Sequence, residues 1–155
     1  MADEADIFRA IVSSGARVML IGRRAMIVYG IPVLTSDYDL WVHIDDIAAL
    51  NDAFRAIEME ASYLPEEARR RGRYRFENDR HVDVLVARSA STRDDATRLS
   101  FEDAWLRRIE IEFLPGIVVT VPAIPDLIIT KRWALREKDA IDIRLLHSKL
   151  KDDES

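Results

Sequence analysis

Three aspartates define the chemistry open to this chain. Asp37 and Asp39 stand two apart in Thr35–His43, T-S-D-Y-D-L-W-V-H, and Asp83 lies in His81–Val86, H-V-D-V-L-V. In a strand, residues i and i+2 point to the same face, about 6.5–7 Å apart along the chain. A lone aspartate in an apolar run is costly to bury unless something neutralises it. If the two strands lie side by side, the three carboxylates converge, repel one another and require a cation. Oxygen ligands favour Mg²⁺, which keeps several waters and shares its sphere with substrate phosphates. Two such ions about 3.5–4 Å apart clamp the attacking and leaving oxygens of an in-line displacement. The competing reading of Asp37 is a helix cap or turn residue, but no helix pattern follows it directly.

The elements that must position these carboxylates start with an apolar strand, Val18–Ile21, read as central in a sheet. Gly22 breaks it, allowing close backbone approach and an unusual φ. The short helix that follows would present its free N–H groups to a phosphate. Arg23 and Arg24 then either grip a triphosphate or sit solvated. Pro32 marks a turn, and the Thr35 hydroxyl is placed to orient it. One face of the Thr35–His43 strand carries Asp37, Asp39, Trp41 and His43. The other carries Tyr38, Leu40, Val42 and Ile44 and is read as core.

The pattern G-x-x-A…Y-G…T-S-D-Y-D followed by H-V-D-V resembles the signature of the polymerase-β-like nucleotidyltransferases, with small proteins related to abortive-infection (AbiE-type) toxins as the nearest likeness. The segment Asp126–Leu146, D-L-I-I-T-K-R-W-A-L-R-E-K-D-A-I-D-I-R-L-L, resembles the helical segment of the same family. The resemblance implies a minimal nucleotidyltransferase fold, α/β of the α+β kind, with a small mixed sheet and helices packed on it. It implies Mg²⁺- or Mn²⁺-dependent transfer of a nucleoside monophosphate from an NTP to an RNA, protein or small-molecule acceptor. Asp37, Asp39 and Asp83 would be both catalytic residues and metal ligands. Gly22, Arg23, Thr35 and Lys131 would bind the nucleotide, and Lys138 and Asp139 would form a supporting polar network. The setting implied is a toxin–antitoxin or phage-defence system with a cognate partner protein. The family has Gly-Gly or Gly-Ser where this chain has Gly22-Arg23. That difference makes an inactive module that binds nucleotide or a partner the alternative. A nuclease using the same carboxylates is a more distant one.

The remaining sequence supports a single domain over residues 1–155, long enough to bury a core. With 48% hydrophobic and 33% charged residues the composition is that of a globular protein. The net charge of −5 supplies no global attraction to nucleic acid, so any such contact requires a local basic patch. The dense patch is Arg69, Arg70, Arg71, Arg73 and Arg75, read either as phosphate-binding or as a solvated face. With no cysteine, disulfides and thiolate metal sites are excluded. No apolar run reaches the ~20 residues of a membrane span, and the acidic start lacks a signal-peptide pattern, so the cytoplasm is the expected location.

Amphipathic periodicity predicts helices over 3–14, from Asp45–Asp46 to Met59, from Pro65 to Gly72, and around Phe101–Trp105. Strands are predicted at Arg73–Phe76, Ile109–Phe113 and Ile117–Val121, with a loop at 89–95. In the hairpin formed by the Arg73 and Asp83 strands, an even-numbered turn puts Tyr74 on the face of Asp83. An odd-numbered turn puts Arg73 and Arg75 there. Asp142 and Lys138 are also open to reading as i,i+4 surface pairs.

Overall fold

The computed structural model describes residues 2–87, 98–133 and 137–154. The expected loop at 89–95, the core role of Leu135 and the side chain of Lys138 lie outside the described residues. Helix α1 (Glu4–Ser13) begins at a reciprocal cap, in which the Asp3 carboxylate accepts from the Asp6 N–H and Asp6 accepts from the Asp3 N–H. Its apolar stripe buries Ile7 and Phe8. Strand β1 (Val18–Ile21) is buried along its whole length, as its unbroken apolar run predicts. It passes directly into helix α2 (Gly22–Val28).

Strand β2 (Asp39–Val42) is followed by helix α3 (Ile47–Arg55), strand β3 (Glu60–Ala61), helix α4 (Pro65–Arg71), strand β4 (Arg73–Glu77) and strand β5 (His81–Val86). The five strands form one sheet in the order β1-β2-β5-β4-β3. Among the described residues β2 pairs with β5 in parallel, and the other neighbours are antiparallel. Helix α5 (Phe101–Leu106) leads to a separate hairpin, β6 (Ile109–Leu114) with β7 (Ile117–Val121), and the chain ends in helices α6 (Ile124–Arg132) and α7 (Glu137–Glu154). Strand β7 packs on β1 and α1, and α6 packs on α7 and α2. The mixed sheet with helices on it is the expected architecture. No helix among the described residues is long and apolar enough to cross a membrane.

Two local expectations are corrected. The strand expected over Thr35–His43 is shorter, because Asp37 and Thr35 give their carbonyls to the Arg24 guanidinium rather than to a neighbouring strand. The face of β2 that carries Asp39 is also covered further along: Trp41 is buried edge-on between Phe101 and Trp133. The helix expected to run to Met59 ends at Arg55, and Asp46 does not cap it with its side chain. The Asp46 carboxylate instead accepts from the backbone N–H and the guanidinium of Arg17.

Candidate active site

Strand register brings two of the three aspartates together. Ile21 pairs with Asp39 across β1 and β2, and Asp39 pairs with Asp83 across β2 and β5. Directly paired residues on adjacent strands project to the same face, roughly 4.8 Å apart. Asp39 and Asp83 therefore share a face, and both line a cleft of about 640 Å³. Gly22 lines the same cleft. A Cβ built on it would lie 2.6 Å from the Asp39 Oδ2, and its φ is +72°, so glycine is required both for room and for backbone conformation.

Asp37 stands outside the lining of this cleft, half-buried in the segment leading into β2. Its N–H donates to the Thr35 hydroxyl at 3.0 Å, the local turn for which Thr35 was expected. The next residue, Tyr38, accepts from the Asp83 N–H at 2.9 Å, so the parallel ladder starts one residue after Asp37. Asp37 is still close enough to add to the field that raises the pKa of Arg75, after the larger effect of Asp83.

The hairpin register left open by the sequence is settled by a three-residue connection between the closing pair Glu77–His81. Arg75 pairs with Asp83 and Arg73 with Leu85, which puts both arginines on the face of Asp83. Tyr74 turns to the other face, is buried, and donates to the Asn51 side chain at 2.7 Å. The Arg75 Nε donates to the Asp83 Oδ1 at 2.7 Å.

Lys131 also lines the cleft; it is 5% exposed, and its Nζ donates to Asp142 at 2.8 Å and lies 3.8 Å from Asp139. Asp142 is fully buried, correcting its reading as a surface pair. It also accepts from the Nε and Nη2 of Arg23, whose Nη1 donates to the Leu34 carbonyl. Burial alone would push the Asp142 carboxyl up. The hydrogen bonds from Arg23 and Lys131 outweigh it and hold the group below its ordinary value. Arg23 thus ties α2 to α7, outside the lining of the cleft, while Lys131 reaches the cleft. The signal for this hub was in the sequence: Asp139, Asp142 and Leu146 fall on one face of α7, and all three are buried.

Among the described residues no three His, Cys, Asp or Glu side chains form a ready-made metal cage. The donor set nevertheless fits Mg²⁺, which is held by one or two carboxylates together with substrate phosphates rather than by an all-protein cage. Asp39 and Asp83 are two hard oxygen donors in register beside a glycine with no side chain to obstruct them.

No family model matches the chain, and no curated protein matches it. Solved structures do. The crystal structure of ANT(2'')-Ia in complex with adenylyl-2''-tobramycin superposes with a TM-score of 0.63 at 15% identity, covering 97% of this chain and 88% of that one. The solution structure of the antibiotic-resistance factor ANT(2'')-Ia gives a TM-score of 0.63 at 13% identity, covering 94% and 81%. At these identities the likeness is one of fold, and the chain shares the fold of these ANT(2'')-Ia structures.

Proposed function

We propose that the protein is a Mg²⁺-dependent nucleotidyltransferase that moves a nucleoside monophosphate from an NTP to an acceptor hydroxyl. The observation that supports this reading is the in-register placement of Asp39 beside Asp83 in a cleft that also contains Gly22 and Lys131. The acceptor oxygen forms a bond to the α-phosphorus, the bond from that phosphorus to the α–β bridging oxygen breaks, and pyrophosphate leaves with the electron pair. The hydroxyl proton passes to Asp83. Mg²⁺ or Mn²⁺ when bound neutralises the phosphate charge and lowers the pKa of the acceptor hydroxyl.

Asp39 and Asp83 would hold the cation, and Asp37, two residues before β2, would complete the carboxylate set. Gly22 lets the triphosphate approach the backbone at the start of α2. Lys131 lends positive charge to the lining of the cleft, and Arg23 and Thr35 support the nucleotide side by fixing α2 and the turn before β2. Most of the rate enhancement comes from positioning and charge neutralisation, as for phosphoryl transfer generally. The resemblance to AbiE-type toxins extends the proposal to a toxin–antitoxin or phage-defence setting with a cognate partner protein.

The test is label transfer from the four α-labelled NTPs with Mg²⁺, comparing wild type with Asp39→Asn. Transfer with pyrophosphate release is expected from wild type and should fall at least ~10³-fold in the variant, by analogy with the loss of other charge-stabilising groups. Equal transfer by both proteins would remove Asp39 from the chemistry. A second reading, a nucleotide-binding module without transfer, is favoured by the Arg75 contact on Asp83 and by Gly22-Arg23. NTP binding without pyrophosphate release in any condition is its signature.

A further inference from the structure

The β4 edge of the cleft carries cations that the proposed transfer does not use. Arg73 and Arg75 both line the cleft on the face of Asp83. Arg75 is held by Asp83, with its Nη1 3.8 Å from Glu77. Arg73 is exposed and makes no hydrogen bond or ion pair among the described residues. The neighbouring arginines are committed elsewhere. Arg70 and Arg71 bind Glu67, and Arg69 reaches the Ile44 carbonyl and Asp45. The basic run therefore resolves into a structural part on α4 and a pair on β4 that faces the site.

Strand order fixes which substrate such a pair can serve. Gly22 follows β1, Asp39 and Asp83 lie on β2 and β5, and the arginines lie on β4. At roughly 4.8 Å between strands, β1 and β4 are about 14 Å apart, with the carboxylates between them. In-line displacement requires the attacking and leaving oxygens on opposite sides of the phosphorus. With the pyrophosphate at Gly22, the incoming hydroxyl approaches from β4.

We propose that Arg73 and Arg75 bind a phosphate carried by the acceptor next to its reacting hydroxyl, so that the acceptor is an anionic, phosphate-bearing molecule and not a polycation. This inference rests on the transfer reading above for its direction of attack. Arginine forks match phosphate oxygens in a bidentate way. An acceptor rich in ammonium groups would instead meet two guanidinium groups at this edge.

The experiment is direct binding to the full chain, without NTP, of three probes: a fluorescein-labelled single-stranded RNA octamer, ribose 5-phosphate and tobramycin. Binding of the octamer or of ribose 5-phosphate is expected, and which of them binds separates a nucleic-acid acceptor from a small phosphate ester. Arg73→Gln should weaken that binding about tenfold, the scale of one lost charge-assisted contact, with Arg73→Lys recovering part of it and the NTP dissociation constant unchanged. Because Arg73 has no partner among the described residues, its replacement should leave the thermal midpoint in place. Tighter binding of tobramycin, failure of both phosphate-bearing probes to bind, or equal binding by wild type and Arg73→Gln would overturn the proposal. Label transfer judged through Asp39→Asn tests the chemistry separately, so each reading fails on its own measurement.

Discussion

Gly22→Ala separates the geometry of the site from the stability of the fold. Two costs arise. The first is conformational: at φ +72° an alanine pays roughly 1–2 kcal/mol for its Cβ. The second is local: the new Cβ falls 2.6 Å from the Asp39 Oδ2, and ordinary contact begins near 3.4 Å, so the carboxylate must retreat by about 0.8 Å. Displacement on this scale at a reacting centre costs roughly 10²-fold in rate. Gly116→Ala is the control, with φ +75° but open space where the Cβ goes. Both variants should lower the thermal midpoint by about 2–8 °C, the backbone cost spread over a domain of this size. Only Gly22→Ala should lose transfer, by about 10²-fold, and it should also weaken Mn²⁺ binding followed by electron paramagnetic resonance. Full activity and full Mn²⁺ affinity in Gly22→Ala would refute the claim that this glycine makes room for the Asp39 carboxylate. Equal functional loss in Gly116→Ala would show that the effect is global.

Two further outcomes concern the Asp142 hub. Asp142→Ala strands Arg23 and the buried Lys131 without their shared carboxylate, and chemical denaturation should show a loss of about 3–5 kcal/mol; a loss below about 1 kcal/mol would rule out the hub. Asp142 and Asp46 both have lowered carboxyl pKa values, Asp142 because its two cations outweigh burial and Asp46 chiefly through its hydrogen bonds with Arg17. A depressed folded-state pKa contributes stability that is fully present above the unfolded value near ~4 and is lost as pH falls through the folded value. Denaturation midpoints should thus stay level with respect to these groups between pH 7 and 5 and drop below about pH 4, with a shallower drop in Asp142→Asn.

The residues legible in the sequence were those whose role depends on strand periodicity. The apolar run at β1, the alternation in β5 and the glycine between β1 and α2 marked the strands that carry Gly22, Asp39 and Asp83, and the register, which periodicity leaves conditional, brings them together. Asp37 was harder to place, because strand periodicity assumes that the strand continues. Here the Arg24 guanidinium takes the carbonyls of Thr35 and Asp37 and ends the ladder at Tyr38. The arginine face of β4 depended on the parity of one turn, which composition does not encode. Asp142 was misjudged by local spacing. A surface i,i+4 pair and a buried hub look alike until Leu146 is counted on the same helix face, and its partners Arg23 and Lys131 lie 119 and 11 residues away in sequence.

The contact between Arg75 and Asp83 links the two proposals. Two carboxylates on adjacent strands repel each other, and Asp83 finds a counter-charge in Arg75. The pair is exposed, with side chains 44% and 40% accessible, so solvent screens it and little is lost when it opens. Under the proposed function Asp39 and Asp83 would hold a divalent cation; its charge would replace the neutralisation that Arg75 gives Asp83, leaving the Arg75 guanidinium to turn towards the β4 edge, where Arg73 already faces the cleft. On these two proposals metal binding and acceptor-phosphate binding would favour each other, because each removes what the other must displace, and by linkage the coupling would be equal in both directions. The departure at Gly22-Arg23 is compatible with this scheme. Arg23 is committed to Asp142, which fixes α2, while Arg73 and Arg75 on β4 line the cleft.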